Sequence, residues 1–146
     1  EKKVSRQLKT HSLGIIGAVE PIYFLPMKGA FLARIDTGAQ GSSVDVENLQ
    51  EFEREGKKWV SFDLVNQRTG EKHHYEKRLH KQVTIKRIEE SEERLVVLMT
   101  VKIGKEKLTV PFSLADRSKF EYQALVGRNI LKGRAIVDVS VSKTLY

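Results

Sequence analysis

Apolar residues occupy every second position along much of the chain, which is the pattern of β-strands with one buried face. The clearest case is a pair of long segments on either side of Gly104-Lys105, whose apolar positions are Leu95, Val97, Met99, Val101 and Ile103, then Leu108, Val110, Phe112 and Leu114. This pattern predicts a hairpin of two long strands. Shorter segments at 13–20, 22–25, 31–35, 59–65, 124–126 and 135–139 predict further strands.

One segment has a helical pattern instead. Val46, Leu49 and Phe52 recur every third residue, acidic residues fill the early turns, and Gly56 follows. This arrangement predicts a helix from Val46 to Glu55. A single helical turn is expected after Gly127, and segment 66–87 is interpreted as a polar hairpin.

Composition limits the range of folds and functions. The chain has 146 residues, with 40% hydrophobic and 31% charged residues, so we expect a single globular domain at 13–146 after a flexible basic arm at 1–12. No apolar run is long enough for a membrane span, and no signal-peptide pattern is present, so we expect no membrane partner. The chain has no cysteine, which excludes disulfides and thiolate chemistry. Since it begins at Glu1 without Met, we allow for a trimmed leader or a longer N-terminus.

The net charge of +7 favours anionic partners. The positive charge is densest between Asn66 and Arg87, where seven Lys and Arg residues oppose two Glu residues. Two interpretations remain open for this segment. It is either a solvated hairpin or a surface that binds an acidic polymer.

The candidate chemistry begins at Asp36-Thr37-Gly38-Ala39, directly after the predicted strand 31–35. A strand can hold a terminal carboxylate in a fixed direction, and Gly38 lets a second backbone or a substrate approach closely. Asp-Thr-Gly after an apolar strand is typical of aspartic proteases. Asp-x-Gly is also an ordinary turn sequence, so the tripeptide alone does not decide between the two.

A second motif lies about ninety residues later. Leu125-Val126-Gly127-Arg128 consists of two apolar residues, a glycine and the start of a helical turn. The order and spacing of the two motifs resemble one half of a retropepsin-like protease, in which the second segment supports the catalytic loop.

The chain resembles more closely a bacterial group of retropepsin-like proteins called ATP-dependent zinc proteases. The resemblance rests on segments 35–39, 52–60, 125–128 and 133–138. It implies an all-β fold, a closed retropepsin-like β-barrel with one or two short helices. It also implies Asp36, Thr37 and Gly38 as catalytic residues, with substrate contacts from Ala39, Ser42, Ser43, Gly127 and Arg128.

The chain departs from this group at two positions, and the group's name is not supported by the residues. The group usually has Thr where this chain has Gly41, and His where it has Asp45. The sequence has no His-Glu-x-x-His motif and no phosphate-binding Gly-Lys-Ser/Thr loop, so we expect no metal and no cofactor. His74, Glu76 and His80 would share one strand face, which keeps a metal-dependent peptidase as an alternative.

An aspartic peptidase needs two carboxylates that share one proton around a water molecule. Because this chain has one Asp-Thr-Gly, the resemblance implies a homodimer that contributes Asp36 from each copy. The hairpin at 66–87 would cover the substrate. The group is associated with ligases that add glutamate tails to proteins, which suggests an acidic peptide as substrate. We assign recognition of a substrate carboxylate to Arg128, with an ion pair to Asp138 as the alternative.

Two other functions remain open at this point. The same fold could bind peptides without cleaving them. A nucleic-acid-binding β-barrel would explain the charge, but the basic segment has a single aromatic residue, Tyr75, where stacking surfaces need several. The resemblance places the protein in a bacterial cytoplasm or periplasm without deciding between them.

Overall fold

The computed structural model describes residues 11–146, so the basic arm at 1–12 lies largely outside the described residues. The described chain is mostly β-strand. Its strands are β1 (Gly14–Ile16), β2 (Val19–Phe24), β3 (Phe31–Ile35), β4 (Ser42–Asp45), β5 (Glu47–Arg54), β6 (Lys57–Val65), β7 (Lys72–Arg78), β8 (Lys81–Lys86), β9 (Ser91–Ile103), β10 (Glu106–Ala115), β11 (Ala124–Val126) and β12 (Ala135–Val137). One short helix, α1, covers Arg128–Leu131. The all-β class predicted from the alternation is confirmed.

Six strands form a closed ring of hydrogen-bonded neighbours in the order β10-β4-β11-β3-β2-β9, because β9 pairs with β10 as well as with β2. β8 extends the ring at β9, and β5, β6 and β7 form a separate three-stranded sheet. β1 and β12 pair in parallel as a two-stranded sheet. The predicted long hairpin is confirmed as β9 and β10, which pair from Glu106↔Ile103 to Ser113↔Val96.

The apolar core fills the ring and continues under the three-stranded sheet. Phe24 contacts Phe31 and Phe112 edge-to-face, with both pairs of ring centroids 5.1 Å apart. Phe62 of β6 stacks on Tyr75 of β7, and both side chains belong to the same buried cluster as the ring residues. The two sheets therefore share one core and form one unit.

A buried carboxylate holds the C-terminal residues against the second strand. Glu20 is fully buried in β2 and accepts hydrogen bonds from the amides of Gly17 at 2.6 Å and Leu145 at 2.9 Å. Its Oε2 also accepts from the Thr144 hydroxyl at 2.7 Å. A buried charge is tolerated only when its oxygens are satisfied in this way. Glu20 thus joins the C-terminal residues to the second strand.

The helix predicted from Val46 to Glu55 is wrong. The segment forms β5, which pairs with β6 through Phe52↔Trp59 and ends in a turn at Glu55 and Gly56, both with positive φ. Two such residues form the tight turn that suits a β-hairpin. The Phe52 and Trp59 rings stack 6.4 Å apart, and this cross-strand contact outweighs a weak local preference for helix.

The polar hairpin predicted at 66–87 is also wrong. Both of its strands exist, but β7 pairs with β6 while β8 pairs with β9, so the two lie in different sheets. Segment 66–87 therefore does not form a flap. Within the described residues no helix is long and apolar enough to span a membrane.

Candidate active site

Asp36 follows β3, one strand of the ring, directly. β3 lies between β2 and β11, and the Asp36 amide donates to the carbonyl of Val126 on β11 at 2.9 Å. Ile35 before it is buried, whereas Asp36 is partly exposed. The buried strand therefore fixes the backbone while the carboxylate reaches solvent.

The loop after Asp36 orients its carboxylate. The Gly38 amide donates to Asp36 Oδ1 at 2.9 Å, and the Ala39 amide donates to the Asp36 carbonyl at 3.3 Å. One carboxylate oxygen is thus held by the protein, and the other, Oδ2, accepts no hydrogen bond from residues 11–146. Thr37 is exposed, and its hydroxyl has no hydrogen-bond partner among residues 11–146.

The segment that begins at Gly127 packs directly against this loop. A Cβ on Gly127 would lie 2.1 Å from the Gly41 carbonyl oxygen and 2.8 Å from that of Ala39, so no larger residue fits. The Arg128 amide donates to the Ala39 carbonyl at 2.8 Å, and the Asn129 amide donates to that of Gln40 at 3.1 Å. The first amides of α1 therefore hold the Asp36 loop in place.

A partly buried polar network joins the two segments. The Ser42 hydroxyl accepts from the Gly127 amide at 3.0 Å and donates to Asn129 Oδ1 at 2.6 Å. Asn129 Nδ2 in turn donates to the Pro111 carbonyl of β10 at 2.9 Å. Asn129 was not among the predicted site residues, although a polar residue directly before the apolar pair Ile130-Leu131 was the available signal.

Arg128 lies on the Asp36 loop. Its Nη1 donates to the Thr37 carbonyl at 3.0 Å, and its side chain is exposed. The alternative of an ion pair with Asp138 is wrong, because within the described residues Arg128 forms no salt bridge and Asp138 accepts hydrogen bonds from Ser140. The guanidinium therefore lies beside the Asp36 loop, and its other N–H groups donate to no residue among 11–146.

These two segments correspond to a known family. The sequence model of the RimB-like family, described as retropepsin-like aspartic endopeptidase RimB, matches residues 15–145. The chain belongs to this family. That assignment agrees with the retropepsin-like resemblance seen in the sequence.

Curated relatives of this chain are named as ligases, whereas the family description names an endopeptidase. The chain is 35% identical over 133 residues to a probable alpha-L-glutamate ligase of Shewanella pealeana, covering 88% of this chain and 29% of the relative. A protein of the same name from Desulfotalea psychrophila is 33% identical over 142 residues, covering 90% of this chain and 29% of the relative. The chain thus spans less than a third of the curated relatives it matches.

A solved structure shows the same fold. A Legionella pneumophila protein of unknown function superposes with a TM-score of 0.76 at 28% identity, over 90% of this chain and 98% of that one. The retropepsin-like arrangement of the RimB-like chain therefore recurs in a protein of the same size.

The remaining predicted substrate-binding residues are largely enclosed by protein. Ser42 is 3% exposed and Ser43 is 5% exposed, and the Ser43 hydroxyl lies 3.5 Å from Arg117 Nη1. Asp45 is buried and accepts from the Arg117 amide at 2.7 Å. Burial raises the pKa of the Asp45 carboxyl. Ser43 and Asp45 thus contact Arg117 in the loop after β10 and not the Asp36 loop.

His74 of β7, one of the candidate metal ligands, belongs to an ion-pair network. His74 Nδ1 lies 2.7 Å from Asp63 Oδ1, and its Nε2 lies 3.8 Å from Glu76 Oε2. Hydrogen bonds from Asn48 and then from His74 lower the pKa of Asp63. Among residues 11–146 no three His, Cys, Asp or Glu side chains are grouped so that they could hold a metal ion.

Proposed function

We propose that this protein is an aspartic-type peptidase in which Asp36 is the catalytic carboxylate. The observation that carries this proposal is the position of Asp36, partly exposed after a buried strand with Oδ1 held by the Gly38 amide. Membership of a family described as aspartic endopeptidases supports the same chemistry. In this proposal Ser42 and Gly127 support the loop, and Ala39 and Arg128 lie closest to the substrate.

The proposed reaction needs a second carboxylate. Within residues 11–146 no hydrogen bond joins Asp36 to another carboxyl group. We therefore propose a homodimer in which the two Asp36 side chains share one proton across a two-fold axis. The ionised carboxylate takes a proton from water, which attacks the peptide carbonyl, and the protonated carboxyl stabilises the oxygen that develops negative charge.

We propose an acidic peptide as the substrate. The net charge of +7 attracts anionic chains, and the exposed Arg128 lies beside the catalytic loop. The curated relatives are named as glutamate ligases, and a chain extended by glutamate residues is the acidic product that such a name implies. Arg128 would bind a substrate carboxylate through the donors that the Thr37 carbonyl leaves unused.

A second candidate is a peptide-binding protein of the same fold that does not cleave. It is favoured by the single Asp-Thr-Gly of the chain, since one carboxylate alone cannot run the shared-proton chemistry.

The test of the proposed function is cleavage of a glutamate-rich peptide by the purified chain, followed by mass spectrometry. We expect cleavage that is unchanged by a metal chelator, and we expect Arg128→Ala to raise KM for this peptide by about tenfold. Binding without any cleavage would support the peptide-binding candidate. Complete loss of cleavage in the chelator would support the metal-dependent alternative.

A further inference from the structure

A groove lies on the outer side of the ring, away from the Asp36 loop. It has a volume of about 470 Å³ and runs between the end of β7 and the outward face of the β9–β10 hairpin. Its walls include Lys77, Arg78, Leu79 and His80 on one side and Leu98 and Thr100 on the other. None of its lining residues belongs to segment 36–43 or to α1, so the groove is not part of the candidate active site.

The cations of this groove lack the acidic partners that their neighbours have. Two basic residues on the neighbouring sheet are paired, since Lys72 lies 3.5 Å from Asp63 and Arg54 donates to Glu76 at 2.7 Å. By contrast, no carboxylate of the described chain lies within salt-bridge distance of Lys77 or Arg78, and the Lys77 ammonium contacts only the Tyr75 ring, at 6.0 Å. These charges are available to a ligand.

The positive charge continues along the hairpin. Lys102 and Lys107 are directly opposite each other on β9 and β10, and the pair Thr100 and Thr109 follows on the same outward face. Like charges placed opposite each other in a sheet reduce its stability. Since both lysines are exposed and neither forms a salt bridge within residues 11–146, a bound anion would relieve this repulsion.

The rest of the groove suits an extended polypeptide. Leu98 is 40% exposed at its floor, and the Thr100 and Thr109 hydroxyls lie 3.0 Å apart beside it. Among the described strands β7 pairs only with β6, and a strand edge without a partner can pair with a chain in β conformation. The lining contains no Phe, Tyr or Trp, the large rings on which successive nucleobases stack, which argues for a peptide over a nucleic acid.

We propose that this groove docks an extended acidic segment of the protein substrate, remote from the bond that is cleaved. Lys77, Arg78, Lys102 and Lys107 bind its carboxylates, and Leu98 contacts an apolar side chain within it. The proposal rests on the proposed function in one respect, because that function identifies the docked acidic segment as part of a substrate. Docking at a distance raises the local concentration of the cleavable segment at Asp36.

The test measures binding of a fluorescent glutamate-rich peptide by anisotropy, in an Asp36→Asn background so that cleavage plays no part. Arg78→Glu combined with Lys107→Glu is expected to weaken binding by about tenfold or more, because two favourable charge contacts become repulsive. The matched control is Lys86→Glu with Lys119→Glu, two exposed lysines outside the groove with the same change in net charge. We expect the control to weaken binding by less than about threefold.

Three results would overturn this proposal. Equal weakening in both double variants would show attraction by net charge alone, and unchanged binding in the groove variant would show that the peptide binds elsewhere. Tighter binding of a single-stranded RNA of equal charge, lost in the same variant, would assign the groove to nucleic acid. Because the background is cleavage-deficient, none of these outcomes depends on whether the wild-type chain is a peptidase.

Discussion

Asp36→Asn is expected to lower kcat/KM for a glutamate-rich peptide by about 10³-fold or more, with almost no change in stability. Asparagine keeps the shape of the side chain and a carbonyl oxygen that can accept from the Gly38 amide, as Asp36 Oδ1 does at 2.9 Å. It cannot ionise, so it can neither take a proton from water nor share one with a second carboxyl. Kinetics and thermal unfolding on the same preparation measure the two effects.

Asp138→Asn is the matched control for this change. Asp138 is an exposed turn residue that accepts from the Ser140 amide at 2.9 Å, and we expect its replacement to leave kcat/KM within about twofold. Cleavage by Asp36→Asn at the wild-type rate would exclude the aspartic mechanism.

Gly127→Ala is expected to lower the free energy of unfolding by about 3 kcal/mol and to remove most of the peptidase activity. The added Cβ would lie 2.1 Å from the Gly41 carbonyl oxygen, which is backbone and cannot rotate away. The loop of Asp36 must then move away from α1, and this breaks the hydrogen bonds from Arg128 and Asn129 that orient it. Denaturant unfolding measures the loss of stability.

Gly41→Ala tests the same contact from its other side. A Cβ on Gly41 has no atom within 4 Å and its φ lies outside the left-handed region, so we expect stability within about 0.5 kcal/mol of the wild type. If the two alanine variants were equally stable, the close approach of Gly127 to the loop would not be what holds the site.

The sequence predicted the parts of this structure that depend on local pattern. The long β9–β10 hairpin followed from alternation around Gly104-Lys105, and the two motifs at Asp36 and Gly127 are in contact through the Arg128 amide and the Ala39 carbonyl. Each signal consists of a few neighbouring residues whose chemistry restricts the backbone strongly.

The β5 strand shows where local pattern fails. Val46, Leu49 and Phe52 fit a helix by spacing, and Gly56 fits a helix end as well as it fits a hairpin turn. The segment forms a strand because β6 pairs with it from Gln50 to Arg54 and places Trp59 opposite Phe52. Segment 66–87 failed for the same reason, since the partners of β7 and β8 lie in different sheets.

The long-range polar contacts could not be predicted from the sequence. Glu20 accepts from Leu145, 125 residues away, and Asp45 accepts from Arg117, 72 residues away. Nothing in the residues around Glu20 or Asp45 marks them as buried carboxylates, because the groups that satisfy them are brought near only by the completed fold.

The central claim, that each active site is built from two copies of Asp36, is tested most directly by mixing wild-type chain with Asp36→Asn chain. After subunit exchange of equal amounts at constant total concentration, random pairing leaves about one quarter of the dimers with two intact carboxylates. We therefore predict a cleavage rate of about one quarter of that of the pure wild type. A rate of about one half would mean that each chain acts alone, and it would contradict the shared site.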